Sequence, residues 1–381
     1  MTSKTLASIP NPDLAVNEDL KPRWNSPDWR RRGFHDLHRT ARYAISLRAG
    51  RVLTLEKCID RSIGNMAEVR RLTSTSMFSA MAVVRGQTVL HEAYAPDFGP
   101  DRAHSIMSIT KTHLNFVYGG LAEAGLIDLD RTVGSYLPEI GSGYAGATVQ
   151  QVLNMDVSND YSEDYSDPVT SSYLHEVPMG WRLAEDGAEV PTEHQFLSRI
   201  SSADVANRDA HALYKSANSD VLGWVAERVS GRPLPAFFAD ITDAAGLERG
   251  FDLTTDREGR PWASGGGCLT ARDLARYGLL FVRHGEGVGG RRVGSAAFID
   301  RTRANPGKPL PPPRDFVRYS NQMNMSERWI GHGGYGGQYL LCDMESGVVG
   351  VFFSVLENRD CADREYSCEI IRMLASVAES V

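Results

Sequence analysis

Three side chains in this sequence could together break an acyl bond. In "HSIMSITKTHLNFVYGG", running from His104 to Gly120, Lys111 stands three positions after Ser108. Residues i and i+3 share a helix face, so the ammonium and the hydroxyl can touch. A lysine buried against an apolar helix gives up its proton below its ordinary value of about 10.4. That would make it a base for the serine. If Ser108 opens the helix, free backbone N–H groups and the positive dipole end favour negative charge beside it. The same spacing also fits a capping serine next to a surface lysine. The third residue is Tyr214, in "HALYKSANSDVLGWVAERVSG". A phenol there can relay a proton between a serine and a leaving amine, or it can be a core tyrosine.

A further stretch, "IGHGGYGGQYLLCD", places His332-Gly333-Gly334 just ahead of a strand. Glycines there let a substrate lie against the strand edge and free the Tyr335 N–H to face an oxyanion. Gly331, Gly333 and Gly336 fit G-x-G-x-x-G, as do Gly285, Gly287 and Gly290. Neither set lies between a strand and a helix, which argues against a dinucleotide site. Glu176, in "HEVPMGWR", is a candidate partner for the ammonium of an aminoacyl substrate, or else a solvated surface carboxylate. His104, Trp181 and Cys268 are candidates to line the same cleft. Acyl transfer by such a group needs no metal or organic cofactor, and no H-E-x-x-H or G-x-S-x-G elbow offers a competing catalytic centre.

The elements that must position these groups are legible in outline. "SAMAVVRGQTVLHEAYA" (79–95) alternates and turns at Arg85-Gly86, a hairpin. Leu114, Val117, Leu121 and Leu126 continue the Ser108 segment as an apolar helix. "TVQQVLNM" and "SDVLGWVAERVSG" read as helices, the second stopped by Gly231. Thr270, with Asp273 three residues on, caps another. The chain returns to strands in "GGQYLLCDMESGVVGVFFSVLEN" and ends on a helix carrying Ile370, Ile371, Leu374 and Val377. Strands at both ends with helices between predict one sheet built from both ends. The expected division is an N-terminal extension over 1–70 packed on the body, loose over 1–30. A sheet domain follows over 71–130 and 265–381, with a mostly helical lobe over 131–264.

Of 381 residues, 42% are hydrophobic and 23% charged, with a net charge of -7. That argues against nucleic-acid and anionic-membrane partners. The eight arginines between Arg23 and Arg51 read as an extension wrapped on an acidic body, or as an anion-binding arm. Five scattered cysteines without C-x-x-C suit reduced thiols in a cytoplasm. The first twenty residues show no signal peptide, and no apolar run spans a membrane.

The order Ser-x-x-Lys, tyrosine motif, glycine-flanked basic residue resembles serine β-lactamases and penicillin-binding proteins. "EDYSDP", "GWR", "YKSANSDVLGWVAERVSG" and "GGGCLTARDLAR" narrow the resemblance, over roughly 75–375, to 6-aminohexanoate-dimer hydrolases and their carboxylesterase relatives. It implies a β-lactamase/transpeptidase-like α/β (α+β) fold: an antiparallel sheet flanked by helices, plus an inserted all-helical lobe. It implies Ser108 as nucleophile, Lys111 as base, Tyr214 as proton shuttle and the Ser108 and Tyr335 N–H groups as oxyanion hole. Tyr165 would cap the substrate from a mobile loop, beside Glu176 and Trp181. The sequence departs from the β-lactamase pattern in two places. Ser216 stands where class C enzymes carry an asparagine, and His332 replaces the lysine of Lys-Thr-Gly. Both disfavour β-lactam hydrolysis and point to a linear amide or ester as small-molecule substrate, with a homodimer left open. The alternatives are a carboxylesterase and an inactive penicillin-binding-like sensor.

Overall fold

The structure is a computed structural model describing residues 18–185 and 188–381. Residues 1–17 of the expected loose extension, and the signal-peptide reading made on them, lie outside the described residues. From residue 18 onward the extension is not loose. A turn of helix at Lys21–Trp24 leads into α1 (Pro27–Thr40), and Trp24, Phe34 and Leu37 are buried.

Among the described residues twelve strands form two sheets. The first holds β1 (Ala44–Leu47), β6 (Phe251–Thr254), β7 (Gly267–Leu269) and β5 (His104–Ser105), in the order β1-β6-β7-β5. The second holds β2 (Glu56–Lys57), β3 (Phe78–Arg85), β4 (Thr88–Tyr94), β8 (Arg318–Ser320), β9 (Met323–Met325), β10 (Trp329–Gly334), β11 (Gln338–Asp343) and β12 (Val348–Ser354). Its order is β2-β4-β3-β12-β11-β10-β9-β8. Among the described strand pairs only β2–β4 is parallel. β3 and β4 are the expected hairpin, and β12 pairs with β3, Val351 opposite Ala82. The two chain ends therefore do share one sheet.

The central strands are apolar on both faces because both faces are covered. The other main helices are α2 (His113–Glu123), α3 (Ser216–Ser230), α4 (Leu234–Ala245), α5 (Ala271–Val282) and α6 (Arg364–Ser380). A Cβ on Gly278 of α5 would meet the Val349 side chain at 2.5 Å, and one on Gly350 would meet Leu374 of α6 at 3.0 Å. Val349 and Gly350 are neighbours on β12, so the two helices lie on opposite faces. α5 starts where expected, the Thr270 hydroxyl accepting the Asp273 N–H at 3.1 Å. α3 ends at Gly231, φ +66°. α2 stops at Glu123, so Leu126 falls beyond it and is 48% exposed rather than in the helix stripe. Among the described residues no helix is long and apolar enough to cross a membrane.

Candidate active site

Ser108 does not open an α-helix. It is the second residue of a 3₁₀ turn, Met107–Thr112, that runs into α2. The turn is tied to β7: Ile106 N–H donates to the Gly267 carbonyl at 2.9 Å, and Gly267 N–H donates to Thr110 Oγ1 at 3.1 Å. Met107 sits at φ +47°, a region a side-chain-bearing residue seldom occupies unless its surroundings impose it. In a 3₁₀ turn residues i and i+3 eclipse one another, which sets Lys111 directly over Ser108.

Lys111 is fully buried. Its Nζ donates to Ser108 Oγ at 3.1 Å, to Ser216 Oγ at 3.1 Å and to the Ser264 carbonyl at 2.5 Å. Ser216 Oγ in turn donates to Glu163 Oε1 at 2.8 Å, so it can only accept from the lysine. Burial brings the Lys111 ammonium down to about 8, against the opposing pull of the Glu163 and Asp220 carboxylates. Near neutral pH the amine is poised between its two forms. Without its proton it keeps two N–H donors for Ser216 and Ser264 and turns its lone pair on Ser108.

Tyr214 completes the group, with the Lys111 Nζ 5.0 Å from its ring centre. Its hydroxyl is buried with no hydrogen bond of ordinary geometry, while the nearby Ser108 side chain still acts on it electrostatically. Burial, then Glu163, push the phenol well above its usual range, so it holds its proton. The three residues the sequence singled out are thus brought together.

Glu163 was not singled out. It accepts the Ser216 N–H at 2.6 Å and the Tyr165 hydroxyl at 2.6 Å, joining the loop to the start of α3. The available signal was its place two residues before Tyr165 in "EDYSDP". The Tyr165 ring packs on Tyr335 at 4.9 Å. A cavity of about 70 Å³ opens on Ser108 and is lined by Tyr165, Glu176, Trp181, Ser216 and Tyr335, with Trp24, Glu163 and Trp262 among the rest. Glu176 is 4% exposed, not a surface carboxylate. Burial lifts it to about 7, opposed by Arg182 and Lys21; Arg182 Nε lies 3.4 Å away.

His332, Gly333 and Gly334 do not line this cavity. His332 is 2% exposed, bonded to Tyr319 Oη at 3.2 Å and to the Gly333 carbonyl at 2.6 Å. Burial and the Lys111 charge depress it to about 3, so it offers no positive charge to an anion. The three residues close β10 and stand just ahead of β11. A Cβ on Gly334 would sit 2.5 Å from the Ile106 carbonyl oxygen. The glycine therefore brings β10 against the Ser108 turn. His104 and Cys268 are corrected too. His104 stacks on Phe353 at 4.7 Å and Cys268 is fully buried in β7, and neither lines the cavity.

Among the described residues one group, His175, Glu193 and Asp220, holds ligating atoms within 4.8 Å of one another. Such a donor set can accept a divalent cation. Burial pushes both carboxyls toward their protonated forms, the other way to discharge them.

A family model described as Beta-lactamase matches residues 69–366. The chain is 36% identical over 237 residues to a 6-aminohexanoate-dimer hydrolase of Paenarthrobacter ureafaciens. That match covers 62% of this chain and 59% of the relative, so it spans about three fifths of the relative's length. A candidate 6-aminohexanoate-dimer hydrolase from Bacillus anthracis superposes with a TM-score of 0.80 at 20% identity, over 98% of both chains. A D-stereospecific amidohydrolase from a Streptomyces species gives 0.58 at 19% identity, over 81% of this chain and 98% of that one.

Proposed function

Because the chain belongs to the beta-lactamase family, we propose that it is a serine hydrolase that cleaves linear amides through an acyl-enzyme on Ser108. The observation that carries the reading is the 3.1 Å contact between a fully buried Lys111 amine and a Ser108 hydroxyl facing a cavity. Unprotonated Lys111 takes the Ser108 proton as Oγ attacks the carbonyl carbon. The oxyanion rests on the Ser108 and Tyr335 N–H groups, each worth about 3 kcal/mol. The Tyr214 phenol protonates the leaving nitrogen and is recharged from Lys111. Water then takes the amine's place and releases the acid. Tyr165, held by Glu163, closes over the bound chain, and Trp181 and Ser216 flank it. Glu176 meets the ammonium end of an aminoacyl substrate, sharing its carboxylate with Arg182.

The same reading divides the chain into an extension over 1–70, a sheet domain over 71–130 and 265–381 and a lobe over 131–264. Its free thiols, four of five buried, suit a reducing cytoplasm. The test is a panel of linear amides and short p-nitrophenyl esters run on the wild type beside Ser108→Ala. Amide turnover lost in the variant supports the proposal. Ester turnover alone makes the protein a carboxylesterase, and no turnover with either makes it a binding module.

A further inference from the structure

The N-terminal segment lies outside residues 69–366, the part matched by the family model, yet it reaches the cleft. Trp24 and Asn25 line the same cavity as Ser108. Trp24 meets Trp181 edge-on at 4.8 Å, and Trp181 meets Trp262 edge-on at 4.6 Å, so three indoles stand in a row along one wall. We infer that the segment Leu20–Asn25 is a specificity element, a fixed wall that restricts the cleft to slender, unbranched acyl chains. The inference rests on the serine-hydrolase reading above.

The wall is held from three sides. Leu20 N–H donates to the Trp181 carbonyl at 2.9 Å, and Asp19 Oδ1 accepts the Leu183 N–H at 2.6 Å, so the segment is stitched to the loop opposite. The buried Arg30 guanidinium donates to Asn25 Oδ1 at 2.9 Å and to the Asn25 and Leu356 carbonyls at 3.1 and 3.0 Å. Asn25 Oδ1 also accepts the Tyr335 hydroxyl at 3.3 Å. Behind Trp24, a Cβ on Gly33 would stand 2.2 Å from the Trp24 Cα, so only glycine lets α1 press that closely. Arg30 and Arg31 of the basic run are spent on this docking; Arg31 pairs with Asp97 at 2.6 Å and donates to the Phe78 carbonyl at 2.9 Å. A wall so braced cannot swing aside for a branched chain, because a packed interior yields little. A single misplaced methyl group in such a cleft changes selection by roughly 10–200-fold.

The experiment compares p-nitrophenyl hexanoate with its branched isomer, the 3,3-dimethylbutanoate, in wild type, Trp24→Ala and Trp24→Phe. Fluorophosphonate labelling of Ser108 reports whether each variant is folded and active. The wild type should favour the linear ester. Trp24→Ala should lower the linear-to-branched ratio of kcat/KM by about tenfold or more, chiefly by gain on the branched ester. Trp24→Phe should lower it by a smaller factor and stands in if the alanine variant fails to fold. A ratio unchanged within about twofold in the folded variants, or both esters slowed alike, overturns the wall. A wild type that hydrolyses neither ester and takes no label overturns the hydrolase reading, and the wall with it.

Discussion

At the residue scale the account turns on the charge of one amine. Lys111 must be unprotonated to accept the Ser108 proton, so kcat/KM should rise with pH and level off above about 8. Asp220 bears on that limb from behind the Ser264 backbone: its Oδ1 accepts the Ser264 N–H at 3.0 Å, and the Ser264 carbonyl holds the amine. Burial lifts the Asp220 carboxyl itself to about 7, so above that pH it is charged and favours the ammonium, which raises the lysine's pKa. Removing that charge in Asp220→Asn makes the proton easier to lose, so the rising limb should move to lower pH. A limb that stays in place, or moves to higher pH, refutes this role for Asp220. The Ser108–Lys111 pair was legible in the sequence because one turn of helix relates the two residues. Their meeting with Tyr214 was not, since nothing local joins residues about a hundred positions apart, and only the family resemblance supplied it.

At the scale of elements, what was legible was what the chain decides locally. The Arg85-Gly86 hairpin, the Thr270 cap and the Gly231 stop each depend on a few neighbouring residues. The small second sheet was illegible. Its strands are two to four residues long, and β1 pairs with β6 some two hundred positions away, Ile45 opposite Leu253. No periodicity can show in so short a strand. The segment over 1–30 read as loose because its polar and proline residues outnumber Leu20 and Trp24, whose burial only the folded body provides. Glu163 went unnoticed for the same reason, its partners Ser216 and Tyr165 meeting only once the loop closes. A local prediction follows from Gly231. At φ +66° with open space around its Cβ position, Gly231→Ala meets only backbone strain. It should cost about 1 kcal/mol in urea unfolding and leave kcat/KM unaltered, since α3 places Ser216 at its other end. A neutral result would mean that the helix stop carries no strain.

At the scale of the whole molecule the cleft is shared between the N-terminal wall and the loop that carries Tyr165. Glu163 holds that loop to the start of α3 through Tyr165 and Ser216, whereas Trp181 stays bonded to the wall through Leu20. The stretch over 161–170 is therefore the part expected to shift as substrate enters. Hydrogen exchange checks this: amides of 161–170 should exchange well before those of β3 and β12, and phosphonylation of Ser108 should slow them. Exchange as slow as in the central strands would mean that substrate enters by another route.

The measurement that bears most directly on the central claim is a mass determination of the protein quenched during turnover of a slow ester, followed by digestion. The account predicts one acyl group on the peptide carrying Ser108, formed faster as pH rises toward 8 and missing from Ser108→Ala. An adduct on any other residue, or turnover that persists without Ser108, would contradict it.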